Sequence, residues 1–278
     1  MTTMFEPGVP VDLNPWVRRI TAPNPGVMTG PGTNTYLLGR EAVAVLDPGP
    51  LIDSHVEAIL AAGAGKIRWI VATHTHPDHS PAWQPLAEAT GAQVIGARPW
   101  DDMFQDETFD PSVEVQHDQL LATDEFHLRA IHTPGHVGNH YCYLLEEAGM
   151  LFTGDHIMEG STVVIVPPSG DMRAYIDSLK LLLDYPLQTM APGHGGVITD
   201  PTAAVNWLVE HRLKRERKVV DGLRSLGRAN LDELVVVVYD DVDPGIHHMA
   251  KLSLTAHLIK LEQEGSARCE ESAHWSLT

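Results

Sequence analysis

Thr73-His74-Thr75-His76-Pro77-Asp78-His79-Ser80 places three imidazoles and a carboxylate within six residues, and that density of ligands is the first chemistry the chain offers. Neutral imidazole and carboxylate are ligands that Zn²⁺ and its first-row neighbours accept, and a His-x-His pair on a turn can aim two nitrogens at one ion. Asp78 and His79 then point to a second ion. A solvated His-rich loop is the bland alternative. It is disfavoured because His-x-His-x-Asp-His follows directly on the apolar run Ile67-Arg68-Trp69-Ile70-Val71-Ala72, which reads as a buried strand with the cluster at its C-terminal edge.

The same pattern recurs three times. Residues 126–131 run into His132-Thr133-Pro134-Gly135-His136, a hairpin of 141–145 and 150–153 ends in Gly154-Asp155, and Gln188-Thr189-Met190-Ala191 leads into Pro192-Gly193-His194. Each apolar run stops at a Gly or Pro turn that presents a His or an Asp, so four strand ends converge on one edge. Together they supply seven ligand-type residues: His74, His76, Asp78, His79, His136, Asp155 and His194. With ions of four or five ligands, one takes His74, His76 and His136, the other takes Asp78, His79 and His194, and Asp155 bridges them. A shared water completes the site. Its pKa, about 15.7 in bulk, falls towards about 7 on zinc, so a hydroxide nucleophile is at hand at neutral pH while the second ion stabilises the developing oxyanion. Asp78 and Asp155 are thus candidate catalytic residues as well as ligands. His140, four residues beyond His136, is a candidate contact to substrate or oxyanion. Asp47 ends another strand-like run and could orient a ligand imidazole, or could simply form the Asp-Pro-Gly turn.

The elements that must position these ends read as an antiparallel start over 17–21, 34–38 and 42–46, then a helix that Asp53 can cap, through about 62, the strand 67–72, a helix over 80–90 and a strand at 93–97. Residues 98–111 are acidic and aromatic without a period, and read as a loop or lid. A helix over 171–183 precedes the fourth ligand turn. After Asp200 the texture changes to a long helical pattern over 201–226, shorter apolar-periodic pieces at 231–239 and 247–264, and a small β-wing at 268–277. The apolar face of 247–264 needs a surface to bury against, for which the first domain is the expected partner. These readings divide the chain into a catalytic domain, 1–200, and a helical C-terminal domain, 201–278.

Composition narrows the function classes. A chain of 278 residues can bury a sizeable core without disulfide staples, and two cysteines, Cys142 and Cys269, suggest a reducing compartment. No signal peptide and no apolar run of about 18 residues is visible, so a soluble, cytoplasmic protein with no membrane partner is expected. The net charge of −18 repels polyanions at long range.

With these residues in hand, the chain resembles the metallo-β-lactamase superfamily of binuclear hydrolases: His-x-His-x-Asp-His is followed, in order, by Thr-Pro-Gly-His, Gly-Asp and Gly-His. All seven ligand positions match. The resemblance implies an α/β fold, an αββα sandwich of two face-to-face sheets with helices outside and two Zn²⁺ ions at one edge, over roughly residues 15–200. Both ends of the chain narrow it further. Asn24-Pro25-Gly26 with Gly32-Thr33-Asn34-Thr35-Tyr36-Leu37, then Gly160-Ser161-Thr162, then His248-Met249-Ala250 with His257-Leu258, is similar to the β-lactamase-like protein 2 group, which adds a small winged-helix-like C-terminal domain. That group implies endoribonuclease cleavage of single-stranded RNA in its best-known members, and hydrolase or polyketide thioesterase activity in others.

Two functions follow as expectations. The first is a dinuclear zinc hydrolase acting on a small-molecule ester, thioester or related acyl substrate. The second is a metal-dependent endoribonuclease using the same hydroxide on single-stranded RNA, bound weakly. The RNA reading leans on the dense basic run Arg212, Lys214, Arg215, Arg217 and Lys218, whose plainer reading is a solvated helix face pairing with Glu210 and Glu216.

Overall fold

An antiparallel start turning into a parallel half organises the first sheet. It runs in chain order through β1 (Val11–Asp12), β2 (Val17–Thr21), β3 (Asn34–Leu38), β4 (Val43–Leu46), β5 (Ile67–Val71), β6 (Gln93–Gly96) and β7 (Val113–Glu114). The connections between β4, β5 and β6 are α1 (Asp53–Gly63) and α2 (Trp83–Thr90), as parallel neighbours require crossovers. The second sheet has the order β12 (Thr189–Pro192), β11 (Met150–Gly154), β10 (Tyr141–Leu145), β9 (His127–His132), β8 (Leu120–Ala122), with only β11 and β12 parallel. The computed structural model describes residues 5–100, 102, 104–270 and 273–278.

Alternation along the strands assigns the two cores. Tyr36 and Leu38 of β3 join Leu46, Phe126 and Phe152 between the sheets, whereas Leu37, one residue over, joins Ile59, Ile70 and Leu86 beneath the helices. The Tyr36 and Phe152 rings meet at 4.9 Å, and the Tyr36 hydroxyl donates to the Pro192 carbonyl at 2.7 Å, linking one sheet to the other at the end where β12 leads to His194. Two helix starts differ from the sequence expectation. Asp53 is the first residue of α1 rather than its cap, which is Ile52 without a side-chain bond. The second helix begins at Trp83, because Ser80 closes the ligand turn instead: its N–H donates to the His76 carbonyl at 3.3 Å and its hydroxyl to Asp106 at 2.8 Å.

The chain divides into two units, Met1–Thr133 with Asn139–Ser161 and Pro186–Pro201, and Pro134–Gly138 with Thr162–Tyr185 and Thr202–Thr278. The second holds α3 (Met172–Leu181), α4 (Pro201–Leu226), α5 (Leu231–Val238), α6 (His247–Gln263) and a three-stranded wing of β13 (Arg228–Ala229), β15 (His274–Leu277) and β14 (Ala267–Glu270). Asp171 caps α3 by accepting from the Ala174 N–H, and Asn230 with Glu233 forms a capping box on α5. Leu254, Leu258 and Leu261 of α6 pack with Val219 and Leu223 of α4, Leu234 of α5 and Trp275 of the wing. The surface that α6 needs is therefore found inside its own unit.

Candidate metal centre

Four candidate ligand histidines, His74, His79, His194 and His136, have a polar partner at Nδ1. The turn after β5 carries His74, whose Nδ1 lies 3.0 Å from the Thr73 hydroxyl. That hydroxyl donates onward to Asp47 Oδ2 at 2.9 Å, so it accepts from His74 Nδ1–H and leaves Nε2 with its lone pair. The same Asp47 Oδ2 accepts from His79 Nδ1 at 2.9 Å, and Asp47 Oδ1 accepts from the Thr73 N–H at 2.7 Å. Asp47, buried at the end of β4 with φ of 50°, therefore fixes the tautomer of two imidazoles at once. His194 Nδ1 faces the Gly32 carbonyl at 3.4 Å. In the second unit, His136 Nδ1 donates to the Val164 carbonyl at 2.9 Å.

The opposite ring nitrogens converge. His79 Nε2 lies 3.6 Å from Asp78 Oδ2 and 3.4 Å from Asp155 Oδ1, and His194 Nε2 lies 3.2 Å and 3.3 Å from the same two atoms. Both nitrogens are buried without a hydrogen bond of good geometry, which is what a ligand set looks like when its donors are aimed at a shared point. His74 Nε2 and His76 Nδ1 approach to 3.0 Å, a separation that one proton or one ion must bridge. Within the first unit His74, His79 and Asp155 bring ligand atoms within 4.8 Å of one another, and so do Asp78, His79 and His194. The donor set is nitrogen and carboxylate oxygen, which fits Zn²⁺ and its first-row neighbours.

Residues 28–194, more than half of the chain, match the family model described as the Metallo-beta-lactamase superfamily. The chain belongs to this superfamily. Residues 231–275 match the Beta-lactamase associated winged helix domain. The Beta-lactamase-like protein 2 homolog of Drosophila melanogaster is 32% identical over 92% of this chain and 91% of its own length, which places the chain in that group. An Atrochrysone carboxyl ACP thioesterase of Aspergillus chevalieri is 33% identical over 83% of this chain and 73% of its own length. Among solved structures, a beta-lactamase domain protein from Burkholderia ambifaria superposes with a TM-score of 0.84 at 17% identity, covering 100% of this chain and 96% of its own. The protein is a hydrolase with the superfamily's α/β sandwich followed by a winged-helix domain.

Electrostatics in this hydrolase site follow from burial and three close carboxylates. Burial and the neighbouring His79, His76 and His140 hold the His74 pKa well below the usual value. Burial also opposes a charge on His79, yet Asp78, Asp155 and Asp47 raise it well above. For His194 burial again lowers the pKa, but Asp155 and Asp78 push it up to about 9. Asp155 and Asp78 are lowered despite burial, by His194 and His79.

His140 is fully buried, with Nδ1 2.9 Å from the Thr133 hydroxyl and its ring centroid 5.1 Å from that of His74. It packs behind a ligand, where a substrate contact was expected from sequence. Gly154, at φ of 46°, lets β11 pass it: a Cβ there would lie 2.5 Å from Thr73 Oγ1 and 2.8 Å from His140 Nε2. Sequence reasoning missed Thr73, Asn34 and His55. Asn34 donates to the Pro192 and Gly195 carbonyls at 3.1 and 2.9 Å and so ties the His194 turn to β3. His55 stands 2.8 Å from Thr35 Oγ1 beside the turn after Asp47, its pKa lowered to about 4 by burial. The Gly-Thr-Asn-Thr-Tyr string holding Asn34 and Thr35 was the one visible signal.

The basic run is only in part the solvated face read from sequence: Lys214 and Arg217 are exposed, whereas Arg212 and Arg215 are not. Arg212 is buried, donates to the Val163 carbonyl and lies over the Tyr175 ring. Arg215 is buried too, donating to Val238 O and Asp241, and Lys218 pairs with Asp240 and Asp241. Glu216 takes His257 and Lys260 as partners. Among the described residues, no helix is long and apolar enough to cross a membrane.

Proposed function

We propose that this hydrolase uses two Zn²⁺ ions to cleave an ester, thioester or related small acyl substrate. The observation that carries the reading is the convergence of the His79 and His194 Nε2 atoms on Asp78 and Asp155, backed by Asp47. His74, His76 and His136 would hold one ion, Asp78, His79 and His194 the other, with Asp155 between them. When bound, the pair would supply a water acidic enough to act as a hydroxide nucleophile near pH 7 and a Lewis acid for the developing oxyanion. Asp47 orients His79 and, through Thr73, His74 so that each ring presents Nε2 to the site. His140 keeps the His74 ring in place. The catalytic part would be residues 1–200 and the C-terminal part 201–278. The free Cys142 and Cys269 support a cytoplasmic setting.

Acyl chemistry is favoured over RNA cleavage because three of the five cations of the basic run are committed to internal partners, while relatives named as thioesterases cover most of the chain. The test is turnover of the metal-loaded protein on a panel of thioesters, lactones, β-lactams and labelled single-stranded RNA. Faster turnover of a small thioester or ester than of RNA at physiological salt is expected. The reverse order rejects the reading.

A further inference from the structure

Gln105 and Asp106, in the stretch that follows β6, are tied to the ligand turn at several points. The Asp106 N–H donates to the carbonyl of Thr75, the residue between His74 and His76, at 2.6 Å. The Thr75 hydroxyl donates to Gln105 Oε1, and Asn139 Nδ2 donates to that hydroxyl at 2.7 Å, to Gln105 Oε1 at 3.3 Å and to the Arg98 carbonyl at 3.0 Å. Asp106 also accepts from Ser80, the last residue of the ligand turn, at 2.8 Å. Thr75, Ser80, Gln105, Asp106 and Asn139 are all buried. This polar knot fixes Gln105 and Asp106 against the candidate metal-binding edge.

In sequence around the residues so fixed, Trp100 and Phe104 each stay 49% exposed, whereas Phe109, five residues beyond Phe104, is 2% exposed in the helical-side core. The stretch buries one aromatic ring, and the two left exposed lie close to Thr75, since the Trp100 N–H lies 3.4 Å from the Gln105 Oε1 that Thr75 also bonds, which makes them candidate ligand-contacting surface. Their setting is acidic: Glu107, three residues beyond Phe104, is exposed, Asp102 accepts from the Phe104 N–H at 2.7 Å, and the one cation of the stretch, Arg98, is paired with Asp110 and Glu114. Anions are therefore repelled. In a biological thioester the thiol half commonly carries phosphate and the acyl half can be wholly apolar, and only the latter suits an apolar wall with acidic neighbours.

We infer that Trp100 and Phe104, held by the Thr75–Gln105–Asn139 knot, are specificity-determining residues that select a bulky, uncharged, apolar acyl group. This rests on the acyl-hydrolase reading. The experiment compares acetyl and octanoyl thioesters of N-acetylcysteamine with wild type and Trp100→Ala/Phe104→Ala, both checked for equal metal content and melting temperature. Wild type is expected to favour octanoyl, and in the double variant the octanoyl-to-acetyl ratio of kcat/KM falls about tenfold, through KM, as lost ring contact with the chain predicts. Calorimetry with a non-hydrolysable octanoyl ketone analogue should show the same fold loss in Kd. Gln105→Ala should reproduce the shift, and Gln105→Glu, which keeps an acceptor for Thr75, should restore it. If the double variant does not fold, Trp100→Ser alone reads the same ratio. Turnover of both thioesters with an unchanged ratio and unchanged Kd overturns the wall and leaves the acyl-hydrolase reading standing. Absence of turnover on either thioester overturns both.

Discussion

One carboxylate, Asp47, serves two imidazoles, so its loss reaches both halves of the ligand cluster. Asp47→Asn keeps the shape but puts an amide where His79 Nδ1–H and the Thr73 hydroxyl both need an acceptor. Zinc affinity should fall about 10- to 100-fold, read by competition with a chromophoric chelator. An unchanged affinity would remove Asp47 from the assignment. Asp155→Ala should lose one ion or nearly all activity with the fold retained, and full activity in that variant rejects its bridging role. His194 sets a pH dependence whose sign can be worked out. Its pKa in the metal-free fold is raised from 6.5 to about 9, so its protonation stabilises that fold fully below about pH 6.5, and the contribution is lost as pH rises through about 9. A metal needs the neutral ring. Zinc uptake at pH 7 should therefore release protons and strengthen as pH rises, which calorimetry in buffers of different ionisation enthalpy measures. Uptake without proton release would contradict the charged His194.

At the scale of elements, the site is held where strands stop and turns begin. The end of β11 must pass Thr73 and His140 so closely that only glycine fits, and its backbone there is left-handed. Gly154→Ala should destabilise by about 1–3 kcal/mol and displace the Thr73 hydroxyl from His74. A urea titration with unchanged midpoint and slope would show that the strand end has slack. On α4, Arg215 reaches Val238 O and Asp241 and lies 4.2 Å from the centre of the Tyr239 ring. Arg215→Ala should cost about 1–3 kcal/mol of stability while thioester turnover survives at low denaturant. Stability kept with RNA cleavage lost would instead make Arg215 a backbone-phosphate contact.

The whole molecule carries −18, and the buried or paired state of Arg212, Arg215 and Lys218 leaves Lys214 and Arg217 of the basic run to offset that field. Binding of single-stranded RNA should be weak, with a log–log salt slope shallower than about −3.5, the value that five phosphate contacts would give. A steeper slope would mean a basic surface elsewhere. Much of this protein was legible in the residue order. Ligand types stand at Gly and Pro turns directly after apolar runs, and period-2 and period-3.6 patterns mark strands and helices, because both depend on near neighbours along the chain. The long helix Pro201–Leu226, the wing strands and the hairpin at β10 and β11 could be read that way. What stands behind each ligand could be read only in part: Asp47 offered itself as a carboxylate at a strand end, but the residues it holds could not be named. Asp47 lies 26 residues from Thr73, Asn34 lies 158 from Pro192, and Asn139 lies 64 from Thr75. Such partners are chosen by strand order and register, as is the burial of Arg212 and Arg215. A single sequence carries no periodic signal for a hydrogen bond between residues that meet only after the sheets have formed.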